Sequence, residues 1–293
     1  MRIRSNHGLS LFAATSLVIA IGAFRLIDTA RAVPGAELLP AALGQNIITV
    51  ANPLPAPLPA KPALVELAKR DPEALADLGL KRYMQSVRDY RCLFVKQERV
   101  KGHLSKLEEI DVAYREHPHS VFMKWRRNAD KVRRVLFVDN DEFVNDKGKK
   151  VAKVEPNGAL VRLLVSEVEI EIHGKRAAES SRRPIDRFGF RQIYELLQEY
   201  NELGRANGVL DYRYAGEGEI DGRPTFKLVR HLPYTGEDGV YPDAMMVLHI
   251  DQQWLLPTAL YSYADHAGKV LLGRYEYRNV VLNPGLTDAD FRF

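Results

Sequence analysis

From about residue 91 onward, apolar and polar positions alternate at the two-residue period of β-strands. The predicted strands are 91–100, 107–115, 120–126, 133–139, 142–145, 150–154 and 168–173, then 210–220, 225–231, 245–251, 258–264 and 269–281. Short turns such as Lys101-Gly102-His103, Asp146-Lys147-Gly148, Asp221-Gly222-Arg223 and Asp265-His266-Ala267-Gly268 separate several of them. These read as hairpin connections with no βαβ rhythm, so the sheet is expected to be mostly antiparallel. Val121, Met123 and Trp125 alternate with Phe122 and Lys124, which predicts one core-like face and one mixed face.

Helical spacing is confined to two regions. Residues 63–90 predict two helices broken near Asp71-Pro72, with Leu78, Tyr83, Met84 and Val87 as the buried stripe of the second. A further helix is predicted from Phe190 through Ile193, Leu196, Leu197 and Tyr200 to about Leu203, with Gly204 as its C-cap.

The chain opens with a different pattern. Arg2 and Arg4 precede an uncharged run from Leu9 to Phe24, and Ala30-Arg31-Ala32 follows in small-x-small form. Together these are the three parts of a secretory signal, expected over residues 1–32 with cleavage before Val33. The alternative is a retained anchor, although the uncharged run is shorter than the ~20 residues a bilayer core needs. Residues 33–62, rich in Ala, Pro and Leu and poor in charge, read as an extended linker before a domain over 63–293.

Export changes how the charge is read. The formal net charge is +4, but the first 32 residues carry four Arg and one Asp, so the mature chain has a net charge of +1. That balance gives no electrostatic case for nucleic acid. The single cysteine, Cys92, excludes an intramolecular disulfide, and its strand-like setting predicts a buried, inert thiol.

The candidate chemistry is sparse. Gly216-Glu217-Gly218 with Gly222 lacks phosphate-loop spacing and a following helix. Asp139-Asn140-Asp141 begins like a calcium loop, but Phe143 and Val144 stand where an oxygen ligand and a glycine are needed. His117-Pro118-His119 has no third and fourth ligand in view, so neither a metal nor another cofactor is expected. Ser120 lacks a nucleophile elbow. No catalytic constellation emerges, and a non-enzymatic role is expected.

One stretch carries a resemblance. Residues 83–126 run YMQSVRDYRCLFVKQERVKGHLSKLEEIDVAYREHPHSVFMKW: a helix end, a strand, a hairpin and a second strand, then an Arg before a Pro and an aromatic-bearing strand. Together with YRNVVLNPGLTDADF at 277–291, this resembles an uncharacterised family of bacterial exported domains of unknown function. More distantly, residues 83–145 are similar to the periplasmic lipoprotein carriers of the Lol system. The resemblance implies an α+β fold: a strongly curved antiparallel half-barrel with helices covering its open, concave side around an apolar cavity for acyl chains. It also implies that Arg115, matching the carriers' Arg beside the Pro, latches the helical lid, although here Glu116 and His117 intervene before Pro118; the other reading of Arg115 is an ion pair with a neighbouring carboxylate.

Val121, Met123, Trp125, Phe137, Met246 and Trp254 are the expected cavity residues, with plain core packing as the other reading of each. The expected protein is therefore exported to the periplasm or cell envelope and binds a lipid or lipoprotein acyl chain for transport or sensing. An envelope protein is a second candidate partner, and membrane contact would come through a retained anchor. The alternative is an interaction or sensor module whose cavity is permanently plugged.

Overall fold

A computed structural model describes residues 49–50, 57–158, 166–237 and 239–293. The predicted signal and most of the predicted linker lie outside these residues. Within the linker span, Thr49–Val50 forms a two-residue strand, β1, and the first helix already begins at Lys61.

The two N-terminal helices break where Pro72 requires it. Helix α1 (Lys61–Arg70) ends at Asp71, whose side chain caps α2 (Pro72–Ser86) by accepting the Ala74 N–H at 2.9 Å. The stripe that α2 buries is Leu75, Ala76, Gly79 and Tyr83, with Val87 just beyond its end. Met84, expected in that stripe, is 51% exposed because it lies on the flank turned away from the sheet-side contacts of Tyr83. Gly79 is needed for close approach: a Cβ there would meet the Tyr194 hydroxyl at 2.3 Å and the Leu255 carbonyl at 2.8 Å.

The strands are β2 (Asp89–Val100), β3 (His103–Leu104), β4 (Glu108–Arg115), β5 (Ser120–Arg127), β6 (Val132–Val138), β7 (Val151–Pro156) and β8 (Val168–Glu171). A four-residue helix, α3 (Lys175–Ala178), and a long helix, α4 (Phe190–Ala206), lead to β9 (Asp211–Ile220), β10 (Arg223–His231), β11 (Met245–Asp251), β12 (Pro257–Tyr263) and β13 (Leu271–Leu282). Eleven strands pair in the order β8-β7-β6-β5-β4-β2-β13-β12-β11-β10-β9, and the two ends do not pair with each other. All ten pairings along this path are antiparallel. The short β1 adds a parallel bridge to β13, and β3 pairs with β2. The sheet is thus two meanders, joined where β2 lies against β13.

Turn chemistry accounts for two of the hairpins. Lys101 and Gly102, and likewise Asp221 and Gly222, have positive φ at consecutive positions, as tight two-residue turns require. Two expectations are corrected. Residues 142–145 are not a strand: the Asn140 side chain accepts the Glu142 N–H and starts a 3-10 turn at Asp141–Phe143 that buries Phe143. Helix α4 does not stop at Gly204 but runs to Ala206. Gly204 is instead a packing glycine, where a Cβ would meet Leu232 at 2.7 Å.

Register fixes the faces. Tyr114 pairs with Val121, Val112 with Met123 and Ile110 with Trp125, so these side chains share one face. That face continues through Tyr90, Cys92 and Phe94 of β2 and Tyr277 of β13, and it packs against Tyr83, Val87, Phe188 and Phe190. Farther along, Phe226, Leu228 and Leu248 pack against Leu64 of α1, Leu75 of α2 and Tyr194 of α4. The helices therefore lie on one face of the sheet. The opposite face is more polar and carries pairs such as Arg126–Asp111 (2.6 Å) and the Arg274–Glu276–Arg278 row.

Candidate functional site

The helix face is not filled throughout. A cavity of about 520 Å³ lies between it and the segment running from α3 into α4. Its apolar walls come from both sides of the central strands: Met123, Trp125 and Val154 from one meander, Met246, Leu248 and Leu260 from the other. Phe94 and Tyr277 of the two central strands and Phe188 before α4 complete the wall between them.

Charged residues cross this floor. Lys96, Glu98 and Glu108 line the cavity, in phase with Phe94 on β2 and Ile110 on β4. The Lys96 ammonium stands 3.3 Å from Glu98 and 3.8 Å from Glu108. Burial alone would lower its pKa, but the two carboxylates hold it above the usual lysine range. Glu98 also accepts from the Tyr275 hydroxyl (2.8 Å) and the Ser181 hydroxyl (3.0 Å), and Trp125 Nε1 donates to Glu108 at 2.6 Å. Burial, and then Glu98, push the Tyr275 phenol well above its ordinary value. Elsewhere on the lining, Arg230 pairs with Asp243 at 3.3 Å. The rim is more basic than acidic: Lys131, Arg176 and Arg187 are exposed lining residues against Asp130 and Glu179, and Arg182 and Arg183 are half-buried in the lining.

The six expected cavity residues divide. Met123, Trp125 and Met246 line the cavity. Val121, Phe137 and Trp254 are 0%, 1% and 6% exposed and belong to packed core clusters. Arg115 faces away from the helices. It donates to Asp288 (2.8 Å) and Ser120 (3.2 Å) and lies over the Phe291 ring at 4.7 Å. The helix tie is made by its neighbour Glu116, whose carboxylate accepts from Tyr83 of α2 (2.5 Å) and Tyr114 of β4 (2.9 Å) and lies 3.1 Å from Arg191 Nε of α4. Sequence reasoning missed the charged floor. Its signal was present: Tyr90, Cys92, Phe94, Lys96 and Glu98 share one parity, so two charges sit on an otherwise apolar face.

His119, half of the candidate His117–His119 metal pair, is part of the same polar knot as Glu116. Its Nδ1 lies 3.5 Å from the Tyr114 hydroxyl and 3.4 Å from the Gln192 amide. Burial lowers its pKa. Among the described residues no group of three or more His, Cys, Asp and Glu side chains is arranged to hold a metal. Cys92 is buried, and burial raises its thiol pKa, which keeps it protonated and unreactive.

Fold and site together define an α+β protein in which one large open antiparallel sheet and its helices enclose an apolar cavity with an ionic floor and a basic rim. The family model described as "Protein of unknown function (DUF1571)" matches residues 87–293, and the chain belongs to that family. Several solved structures are similar to it. The Pseudomonas aeruginosa MucA/MucB complex is 16% identical, with 75% of this chain and 61% of that chain covered and a TM-score of 0.41. A DUF1329 family protein from Desulfovibrio piger is 14% identical, covering 77% and 97%, with a TM-score of 0.39. The Mycobacterium tuberculosis lipoprotein LppX is 12% identical, covering 78% and 99%, with a TM-score of 0.36. The chain spans less than two thirds of MucB, at 63% of that chain. No curated protein matches by sequence.

Proposed function

We propose that this is a non-enzymatic protein of the cell envelope that holds the acyl chain of a lipid or lipoprotein in the cavity, for transport or sensing. The observation that carries the reading is the cavity itself, about 520 Å³ of space with apolar walls between the sheet and the α3–α4 segment. That volume lies within the range of small-molecule sites, and each buried CH₂ of a ligand contributes about 0.8 kcal/mol. On this reading the sheet curves as a half-barrel with the helices on its concave side. Met123, Trp125 and Met246 contact the chain, and Val121, Phe137 and Trp254 support the wall from behind. Envelope location rests on the signal-like pattern of residues 1–32.

Native mass spectrometry of the purified protein, with solvent extraction and lipid analysis, tests the proposal. The expected result is a stoichiometric acyl lipid that survives purification. Substituting Val154→Trp to occupy the cavity should then abolish it while the protein stays folded. A clean apo mass with no uptake on incubation with lipid would sink the reading in favour of an interaction module.

A further inference from the structure

We infer that the amphiphile this cavity holds carries an anionic head group, a phosphate or a carboxylate, seated at the arginine-bearing rim. The inference rests on the acyl-binding reading above and adds the chemistry of the head.

The argument is one of pairing. Seven Lys and Arg side chains line the cavity against five Asp and Glu. Four of the five acids are already engaged. Glu98 and Glu108 share Lys96, Asp243 has Arg230, and Glu179 pairs at 2.8 Å with Lys101, which is not a lining residue. Asp186, the other acid of the 175–187 segment, pairs with His173 at 2.9 Å. Arg182 is a strut, donating to the carbonyls of Arg99 (3.3 Å) and Pro242 (3.0 Å).

That leaves Arg176, Arg183 and Arg187 with no acidic partner among the described residues; Lys131 acts on Glu179, and Asp130 is the one unengaged acid of the lining among the described residues. Arg183 is held over the Tyr200 ring at 5.7 Å, which fixes its plane without using its hydrogen-bond donors. Guanidinium groups of this kind take phosphate or carboxylate through paired N–H donors.

The interior disfavours the opposite orientation. Around Lys96 there are two carboxylates, and the hydroxyls of Tyr275 and Ser181 and the indole N–H of Trp125 already point at them. An anion placed there would find donors already committed and negative charge nearby. The acyl chain therefore occupies the space between Met123, Val154 and Leu260, and the charged head remains at the rim.

The test uses the full chain loaded with the neutral fluorophore N-phenyl-1-naphthylamine, displaced by dodecyl phosphate, dodecanoate or dodecanol below their micelle concentrations. The expected result is displacement by both anionic compounds at concentrations about tenfold lower than by dodecanol. That advantage should vanish in the combined variant Arg176→Gln, Arg183→Gln, Arg187→Gln, with dodecanol displacement unchanged and the thermal melt showing an intact fold. It should also shrink at high salt.

Equal displacement by all three compounds would overturn the head-group inference and leave the acyl site standing. So would an advantage that survives the triple variant. Inorganic phosphate alone should not compete with dodecyl phosphate at matched concentrations. Competition as strong as that of the amphiphile itself would make this a free-anion site and overturn the inference. Failure of the fluorophore and of every amphiphile to bind would instead overturn the acyl-binding reading.

Discussion

Glu116 and Glu98 are buried to similar degrees, 5% and 3% exposed, and have similar partners. Each carboxylate accepts from two hydroxyls, Tyr83 and Tyr114 in one case and Tyr275 and Ser181 in the other, and each stands beside one cation, Arg191 or Lys96. Their surroundings differ. Glu116 sits at the edge of a ring stack, with Tyr90 and Tyr114 at 4.5 Å, Tyr90 and Phe190 at 4.7 Å and Tyr83 and Phe190 at 6.1 Å between centroids. Glu98 borders open space on the cavity floor. A polar knot sealed by packing ties α2, α4 and the sheet together. One facing a void also sets the field that an occupant meets. Position in the packing, more than residue chemistry, separates a carboxylate that only ties elements together from one that also borders open space.

The largest expected effect breaks the sealed knot. Arg191→Met leaves Glu116 buried beside no cation, and urea unfolding should show a loss of about 3 kcal/mol. A loss under about 1 kcal/mol would make the two sites equivalent and end the contrast. Glu98→Gln should cost less, about 1 kcal/mol, because Glu108 keeps a charge partner on Lys96 and the cavity admits relaxation. In titrations with an anionic acyl probe, the same variant should bind several-fold more tightly, since one negative charge has left the floor.

Ser181→Ala removes one hydroxyl from Glu98 and should lower stability by about 0.5 kcal/mol. The weakest signature is in pH. The pKa values of Lys96 and Tyr275 are both raised in the fold, so both keep their protons where the unfolded chain loses them. Their stabilising contribution is therefore complete below about pH 10 and declines above it. Lys96→Met should flatten part of that alkaline decline in chemical-denaturation curves, and an unchanged slope would deny Lys96 its coupling to the carboxylates.

Much of this organisation was legible in the chain. Nearly every strand follows from alternation, the α1–α2 break from Pro72, and the shared face of Val121, Met123 and Trp125 from their spacing. What alternation could not tell was depth. Val121 and Met123 have the same parity and the same face, yet one is sealed in the core and the other borders the cavity, because the difference is set by what the α3–α4 segment covers. Arg115 forms the carboxylate pair that was the other reading of it, with Asp288, and the contact with the helices is made by the next residue, Glu116. Successive residues of a strand face opposite ways, so that single step moves the contact from the C-terminal segment to the helices. The basic rim has no signature in the alternation, because Arg176, Arg182, Arg183 and Arg187 fall in a stretch without strand or long-helix periodicity.

The pairing of β2 with β13 has a consequence for how the protein is made. Glu98 lies opposite Gly273 and Tyr90 opposite Leu282, so the seam at the middle of the sheet joins parts of the chain far apart in sequence. Each meander can zip locally from its own hairpins, but the complete sheet must wait for a contact of high sequence separation, the slowest kind to form. Until then each meander shows one open strand edge, that of β2 or of β13, to its neighbours. A chain made from its N-terminus would remain aggregation-exposed until β13 had been completed, and holding factors would be of most use over that interval.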